Sequence, residues 1–165
     1  MTTNIIKLHK DKKDNIPYLT TILKEIPTNT ILCKTLTGLG ATFGEIKAKR
    51  SSIIVEPNVS TIQCKCADPK HANDNLYGVI EKVGVDDIKE YIVNTKGKYY
   101  KFLVTPESFY KVKEAFKELE LSMYNECFML FDESHKLVKD ADYREGIYLP
   151  LDDFFQFKGK ALVSA

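Results

Sequence analysis

Two short stretches of this 165-residue chain carry residue types at spacings that can do chemistry. The first runs C-K-T-L-T-G-L-G-A-T-F, from Cys33 to Phe43. Gly38 and Gly40 permit positive φ and let the backbone approach an anion closely. A helix opening near Thr42 would aim its first N–H groups at that anion, and its dipole would favour the negative charge. The Thr42 hydroxyl is a possible ligand for a divalent cation. This is how a phosphate-binding loop is built, except that Ala41 stands where such a loop carries its lysine. Taken alone, the stretch reads first as a plain strand-to-helix turn. The second stretch is F-M-L-F-D-E-S-H, from Phe128 to His135. Asp132 can hold magnesium, directly or through water, and Glu133 can polarise an attacking water. The competing reading is that both acids cap the next helix. A glycine turn and an acidic strand end in one chain weaken that plainer alternative.

Around these two stretches the chain alternates helix and strand signals. Residues 1–14 are polar and lysine-rich, a solvated arm that includes His9. N-I-P-Y-L-T-T-I-L-K-E-I-P places Ile16, Leu19, Ile22 and Leu23 at helical spacing, with Asn15 as cap, Pro17 in the first turn and Pro27 as terminator. N-T-I-L-C-K is a short strand, and a helix is expected over about 42–49. S-S-I-I-V-E-P is a continuous apolar run, the pattern of a strand buried on both faces. V-S-T-I-Q-C-K-C reads as one or two helical turns, L-Y-G-V-I as a strand, and V-D-D-I-K-E-Y-I-V-N as a helix capped by Asp86. Y-Y-K-F-L-V-T is a strand. Phe109, Val112, Phe116, Leu119 and Met123 form the apolar stripe of one amphipathic helix, a core face rather than a cofactor box. E-C-F-M-L-F is another buried strand, L-P-L-D-D-F-F-Q-F a short helix, and K-A-L-V-S the last strand. Strands alternating with helices predict an α/β fold with a mainly parallel sheet, whose ligands gather at the carboxyl ends of the strands. Four strand ends should meet there: Thr37 to Thr42, Pro57-Asn58, Thr105-Pro106-Glu107, and Asp132 to His135.

The bulk numbers suit one domain, with 44% hydrophobic and 28% charged residues. A net charge of +1 carries no global signal for nucleic acid, although a local patch is compatible with it. The four cysteines form no disulfide framework. Cys33 and Cys127 fall in apolar runs, and Cys64 and Cys66 make a lone C-x-C. With no signal peptide at the start, this reads as a reducing, cytoplasmic compartment. No apolar run approaches the ~18 residues that span a membrane. The chain stops within a strand signal, K-A-L-V-S-A, which predicts a piece of a longer protein. Cys64, Cys66 and His71 fall short of the paired spacing of a structural zinc site. Tyr99 and Tyr100 are expected to pack on the sheet rather than stack on bases.

In order along the chain, T-L-T-G-L-G-A-T, I-I-V-E-P-N, L-V-T-P-E-S-F, F-M-L-F-D-E-S-H and A-L-V-S-A resemble motifs I, Ia, Ib, II and III of the first motor domain of superfamily-two helicases and translocases, the DEAD/DEAH-like group. The resemblance implies a three-layer RecA-like fold, with the motif III strand between the phosphate-loop strand and the motif II strand. It implies ATP and Mg²⁺ as cofactors, with Lys34, Thr37, Gly38, Leu39, Gly40, Ala41, Thr42 and Phe43 around the nucleotide. Thr42 and Asp132 would take the metal, and Asp132 and Glu133 would be catalytic. His135 and Ser164 would couple this site to a nucleic-acid surface at Asn58, Thr105, Pro106 and Glu107. The implied partners are DNA or RNA and a second RecA-like domain that completes the site with an arginine finger, so this domain alone would hydrolyse ATP poorly. Ser108 stands where family members often have arginine.

Three answers to the missing lysine stay open. Lys34, at the start of the loop, can replace it, as in some viral DNA-packaging motors, whose ATPase is an alternative identity; the D-E-S-H histidine argues against that alternative. The site can bind weakly or without hydrolysis, which makes the domain a degenerate binding module. Or the positive charge comes from Lys47, Lys49 or a partner.

Overall fold

The computed structural model describes residues 5–7, 18–34, 38–95, 97–136 and 150–164. Among the described residues there are six strands: β1 (Thr30–Cys33), β2 (Ser51–Val55), β3 (Leu76–Val79), β4 (Lys101–Val104), β5 (Cys127–Phe131) and β6 (Gly159–Ser164). The helices are α1 (Ala41–Lys47), α2 (Val59–Ala67), α3 (Val85–Asn94), α4 (Phe109–Glu118), α5 (Met123–Glu126) and α6 (Leu151–Phe154). The strands form one sheet in the order β1-β6-β5-β2-β4-β3, and every pairing is parallel. β6 therefore lies between β1 and β5, the position expected for the last strand.

The apolar runs explain the burial. β2, β4 and β5 are central, and their Ile53, Ile54, Val55, Phe102, Leu103, Val104, Met129 and Leu130 are wholly buried. Alternate residues face opposite layers. Ile53, Val55, Phe102, Val104, Met129 and Phe131 pack with α3, α4 and α6. Ile54, Leu103, Phe128 and Leu130 pack with α1, α2 and the segment around Leu19 and Ile26. A sheet covered on both faces is the three-layer α/β arrangement that continuous apolar strands require.

Several local expectations are corrected. Within 18–27 there is one 3₁₀ turn, Leu19–Thr21, rather than a helix; Asn15, Ile16 and Pro17 lie outside the described residues. Thr21 Oγ1 donates back to the Tyr18 carbonyl at 2.8 Å, and Leu19 N donates to the Leu39 carbonyl at 2.8 Å. The adjacent threonines favour such local bonds over a helix, and Leu19 and Ile26 are buried as a pad over α1. Gly44 admits this pad, since a Cβ there would stand 2.9 Å from Thr20 Cγ2. The long amphipathic stripe also breaks. Glu120 takes φ of 55°, Leu121 N donates to Phe116 O at 2.9 Å and Glu120 N to Lys117 O at 3.0 Å. This is a Schellman stop, and Met123 reaches the core from a separate helix, α5. α3 is capped at Gly84, not Asp86; Asp87 reaches back to the Gly84 N–H at 2.8 Å, and Asp86 pairs with Lys89. Cys33 is exposed, unlike buried Cys127, because β1 is an edge strand. Tyr99 and Tyr100 precede β4; Tyr99 is exposed, and Tyr100 packs edge-on against Phe116. His9 lies outside the described residues.

Candidate functional site

All the strands being parallel, β1, β2, β4 and β5 deliver their carboxyl ends to one edge, as the pattern predicted. Lys34 follows β1 directly, and its N–H donates to the Ser164 carbonyl at 2.7 Å and so continues the ladder with β6. The turn into α1 uses left-handed backbone at Gly38 (φ 73°) and Gly40 (φ 81°). At Gly40 a Cβ would also stand 3.2 Å from Tyr18 Cδ1, so only glycine suits that position. At the end of β5, Asp132 N donates to the Val55 carbonyl at 3.0 Å and Ser134 N to the Val163 carbonyl at 2.8 Å. Between them Glu133 sits at φ of 54°, its N–H donating to Asp132 Oδ1 at 3.0 Å. The D-E-S-H segment is thus a turn pinned to β2 and β6.

These backbones bring six side chains together. Thr42 Oγ1 donates to Asp132 Oδ2. Lys34 Nζ stands 3.8 Å from Asp132 Oδ1 and 3.6 Å from Glu133 Oε1. His135 Nε2 is 3.4 Å from Glu133 Oε2, and Ser164 Oγ is 3.4 Å from His135 Nδ1. A continuous chain of polar contacts therefore runs from α1 through the β5 turn to β6. Lys34 and Asp132 are nearly enclosed, with side chains 6% and 5% exposed, whereas Glu133 and His135 are half-buried. The Thr42 hydroxyl and Asp132 carboxylate are adjacent hard oxygen donors, which fits magnesium. Among the described residues no three His, Cys, Asp or Glu side chains converge to hold a metal ion. A cation at Thr42 and Asp132 would therefore draw the rest of its shell from outside these side chains.

The remaining sequence candidates separate. Leu39 and Ala41 are buried in the layer with Leu19, Ile26 and Ile46, so position 41 faces core and has no room for a lysine stem. Phe43 is exposed on one side and lies 5.4 Å, centroid to centroid, from the His71 ring. Thr37 is outside the described residues. Lys47 is committed elsewhere, to Asp74 at 2.6 Å and the Lys70 carbonyl at 2.8 Å. Burial pushes the Asp74 carboxyl up, but the bonds from Lys47 and His71 outweigh it and leave the group below its usual range. His71 pairs through Nδ1 with Asp74 at 2.7 Å, Cys64 and Cys66 are exposed, and the three form no metal-holding group. Asn58 is exposed before α2, whereas Thr105 and Pro106 are buried where β4 turns toward α4, and Glu107 is half-buried.

Sequence reasoning missed Glu56. Val55 and Phe131 are register partners, so Glu56 and Asp132 leave neighbouring strands side by side. Glu56 is 2% exposed. Its Oε2 is 3.4 Å from Lys65 Nζ, and its Oε1 accepts from Asn58 N at 3.4 Å. Burial pushes its carboxyl up, Lys65 pulls it back, and the Asp132 charge adds a further rise. The available signal was that two apolar runs, I-I-V and M-L-F, each end in an acid.

No family model matches the chain, and a search of the curated proteins finds no match. Among the described residues no helix is long and apolar enough to cross a membrane.

Proposed function

We propose that this chain is an ATP-binding motor domain of the superfamily-two helicase and translocase type, acting on DNA or RNA together with a second motor domain. The observation that carries the reading is the convergence of Lys34, Thr42, Asp132 and Glu133 at the carboxyl edge, beside a turn with two left-handed glycines. Of the three answers to the missing lysine, this favours Lys34. Its ammonium meets the acids from the strand that feeds the loop, and its stem is long enough to reach phosphate. In this reading Thr42 and Asp132 hold Mg²⁺, and Glu133 accepts a hydrogen bond from the attacking water and orients it. His135 and Ser164 pass the state of that carboxylate to β6. Magnesium bound there supplies charge neutralisation at the β- and γ-phosphates. The exposed free thiols of Cys33, Cys64 and Cys66 support a reducing, cytoplasmic setting.

The test is Mg-ATP binding and nucleic-acid-stimulated hydrolysis by the intact protein, beside Lys34→Ala and Glu133→Gln. Lys34→Ala should weaken nucleotide binding at least about tenfold, since it removes a charge-assisted contact. Glu133→Gln should bind ATP and lose turnover. A wild type that neither binds nor hydrolyses would sink the proposal. The buried Ala41 favours a second reading, a nucleotide-fold binding module without catalysis; ATP binding with no turnover under any nucleic acid selects it.

A further inference from the structure

Lys34 has a relation to Asp132 and Glu133 that a phosphate-binding role alone does not require. We infer that Lys34 is a tethered counter-ion that exchanges with the metal: in the nucleotide-free protein it occupies the Asp132–Glu133 pair and excludes a divalent cation, and nucleotide draws it off. The exclusion stands on the free protein's geometry. The release by nucleotide rests on the functional reading above.

Two carboxylates adjacent in sequence, Asp132 nearly enclosed and Glu133 half-buried, come within reach of one ammonium, and leaving the enclosed one without a cation would be costly. Lys34 supplies that cation. Its Nζ lies within ion-pair range of both acids, at 3.8 and 3.6 Å, yet beyond good hydrogen-bond length to either. It is held by charge, with weak directional bonding, and a held charge of this kind is readily exchanged. The oxygens of Asp132 are already divided. Oδ2 takes the Thr42 hydroxyl, while Oδ1 takes the Glu133 N–H at 3.0 Å and faces Lys34. A divalent cation that uses Asp132 would stand within a few ångströms of the ammonium, so the two occupy the pair in alternation. Two other basic groups described at this edge have partners of their own. Lys65 pairs with Glu56 at 3.4 Å, and His135 meets the far oxygen of Glu133 at 3.4 Å. The Lys34 backbone is fixed by its bond to the Ser164 carbonyl at 2.7 Å. The four-carbon stem can swing while the strand stays in place.

The experiment titrates Mn²⁺ alone, followed by its electron paramagnetic resonance signal, into wild type, Lys34→Met and Lys34→Met/Asp132→Asn. Circular dichroism checks each fold, and Lys34→Gln serves as a second neutral variant. Both neutral variants should bind Mn²⁺ at least about tenfold tighter than wild type, because a repelling charge has left, and Asp132→Asn should abolish the gain. ATP should then raise Mn²⁺ affinity in wild type by a larger factor than in Lys34→Met, since linkage makes the coupling reciprocal. Equal Mn²⁺ affinity in wild type and both neutral variants would overturn the exchange, as would a gain that survives Asp132→Asn. The two readings separate cleanly. Tighter Mn²⁺ with no ATP binding keeps the exclusion and removes the nucleotide role. ATP binding with unchanged Mn²⁺ affinity keeps the nucleotide role and removes the exchange.

Discussion

Two polar clusters sit at opposite edges of one sheet, each built on a lysine and a carboxylate, and α1 contributes to both. At the amino edge Glu45, wholly buried, accepts from Arg50 Nε at 2.9 Å, Arg50 Nη2 at 2.5 Å and Ser52 Oγ at 2.6 Å. Lys101 donates to the carbonyls of Glu45 and Ala48, both at 2.8 Å, and to Ser52 Oγ at 3.2 Å. The Arg50 guanidinium lies 3.5 Å above the centre of the Phe128 ring. Every one of these contacts is at hydrogen-bond or stacking distance. At the carboxyl edge the Lys34 contacts are 3.6 and 3.8 Å. A saturated network leaves no valence for a ligand and specifies packing. A loosely paired one keeps charge in reserve, as the proposed binding role requires.

If the amino edge is structural, its variants should dominate stability. Glu45→Ala strands Arg50 and Lys101 without a carboxylate and should cost about 3 kcal/mol or more, the scale for breaking a buried pair; urea denaturation measures it. A loss below ~1 kcal/mol would remove the contrast.

The next largest effect is a pH dependence. Burial, more than any neighbour, pushes the Lys101 ammonium down from 10.5 to about 8. Between those values the unfolded chain holds the proton more tightly, so this group adds stability as pH rises from 8 to 10.5, about 3 kcal/mol in all. Cys127 opposes it, because burial pushes its thiol above the ordinary 9.0 and so costs stability above pH 9. The difference between wild type and Lys101→Met isolates the lysine. Wild type should gain on the variant across that window, and parallel curves would show that Lys101 titrates normally.

Gly40→Ala should cost about 1–2 kcal/mol for a side chain in left-handed backbone, with the contact to Tyr18 adding to it. This separates the conformation of the loop from the chemistry around it. The smallest effect belongs to Glu133→Gln. With its charge half-buried and its pairings long, stability should change by less than ~1 kcal/mol. A larger loss would make the carboxyl-edge pair structural as well.

The strands were legible because continuous apolar runs admit few other readings, and I-I-V, F-L-V and F-M-L-F became the central strands. The Leu19 to Leu23 spacing also fits a helix, but that segment is a pad over α1, a choice made by Gly44 and the threonines in three dimensions. The break at Glu120 was hidden because a glutamate, not a glycine, takes the left-handed position. In the site, Lys34, Thr42, Asp132 and Glu133 could be named from residue type and place. Glu56 could not, since its importance lies in its register with Asp132.

By itself the sequence determined which segments are buried strands and which residues stand at their carboxyl ends, because hydrophobic periodicity is a local record of burial. Strand order is not local. The place of β6 between β1 and β5 came from the motif resemblance and not from periodicity; the tertiary structure has it there, carrying Ser164 to His135 and its carbonyl to Lys34. Only it brought Thr42 onto Asp132, 90 residues away, and set the ammonium between two acids rather than out in solvent. Those distances follow from how two helical layers pack across one sheet, a sum of many weak contacts that no short window of sequence contains.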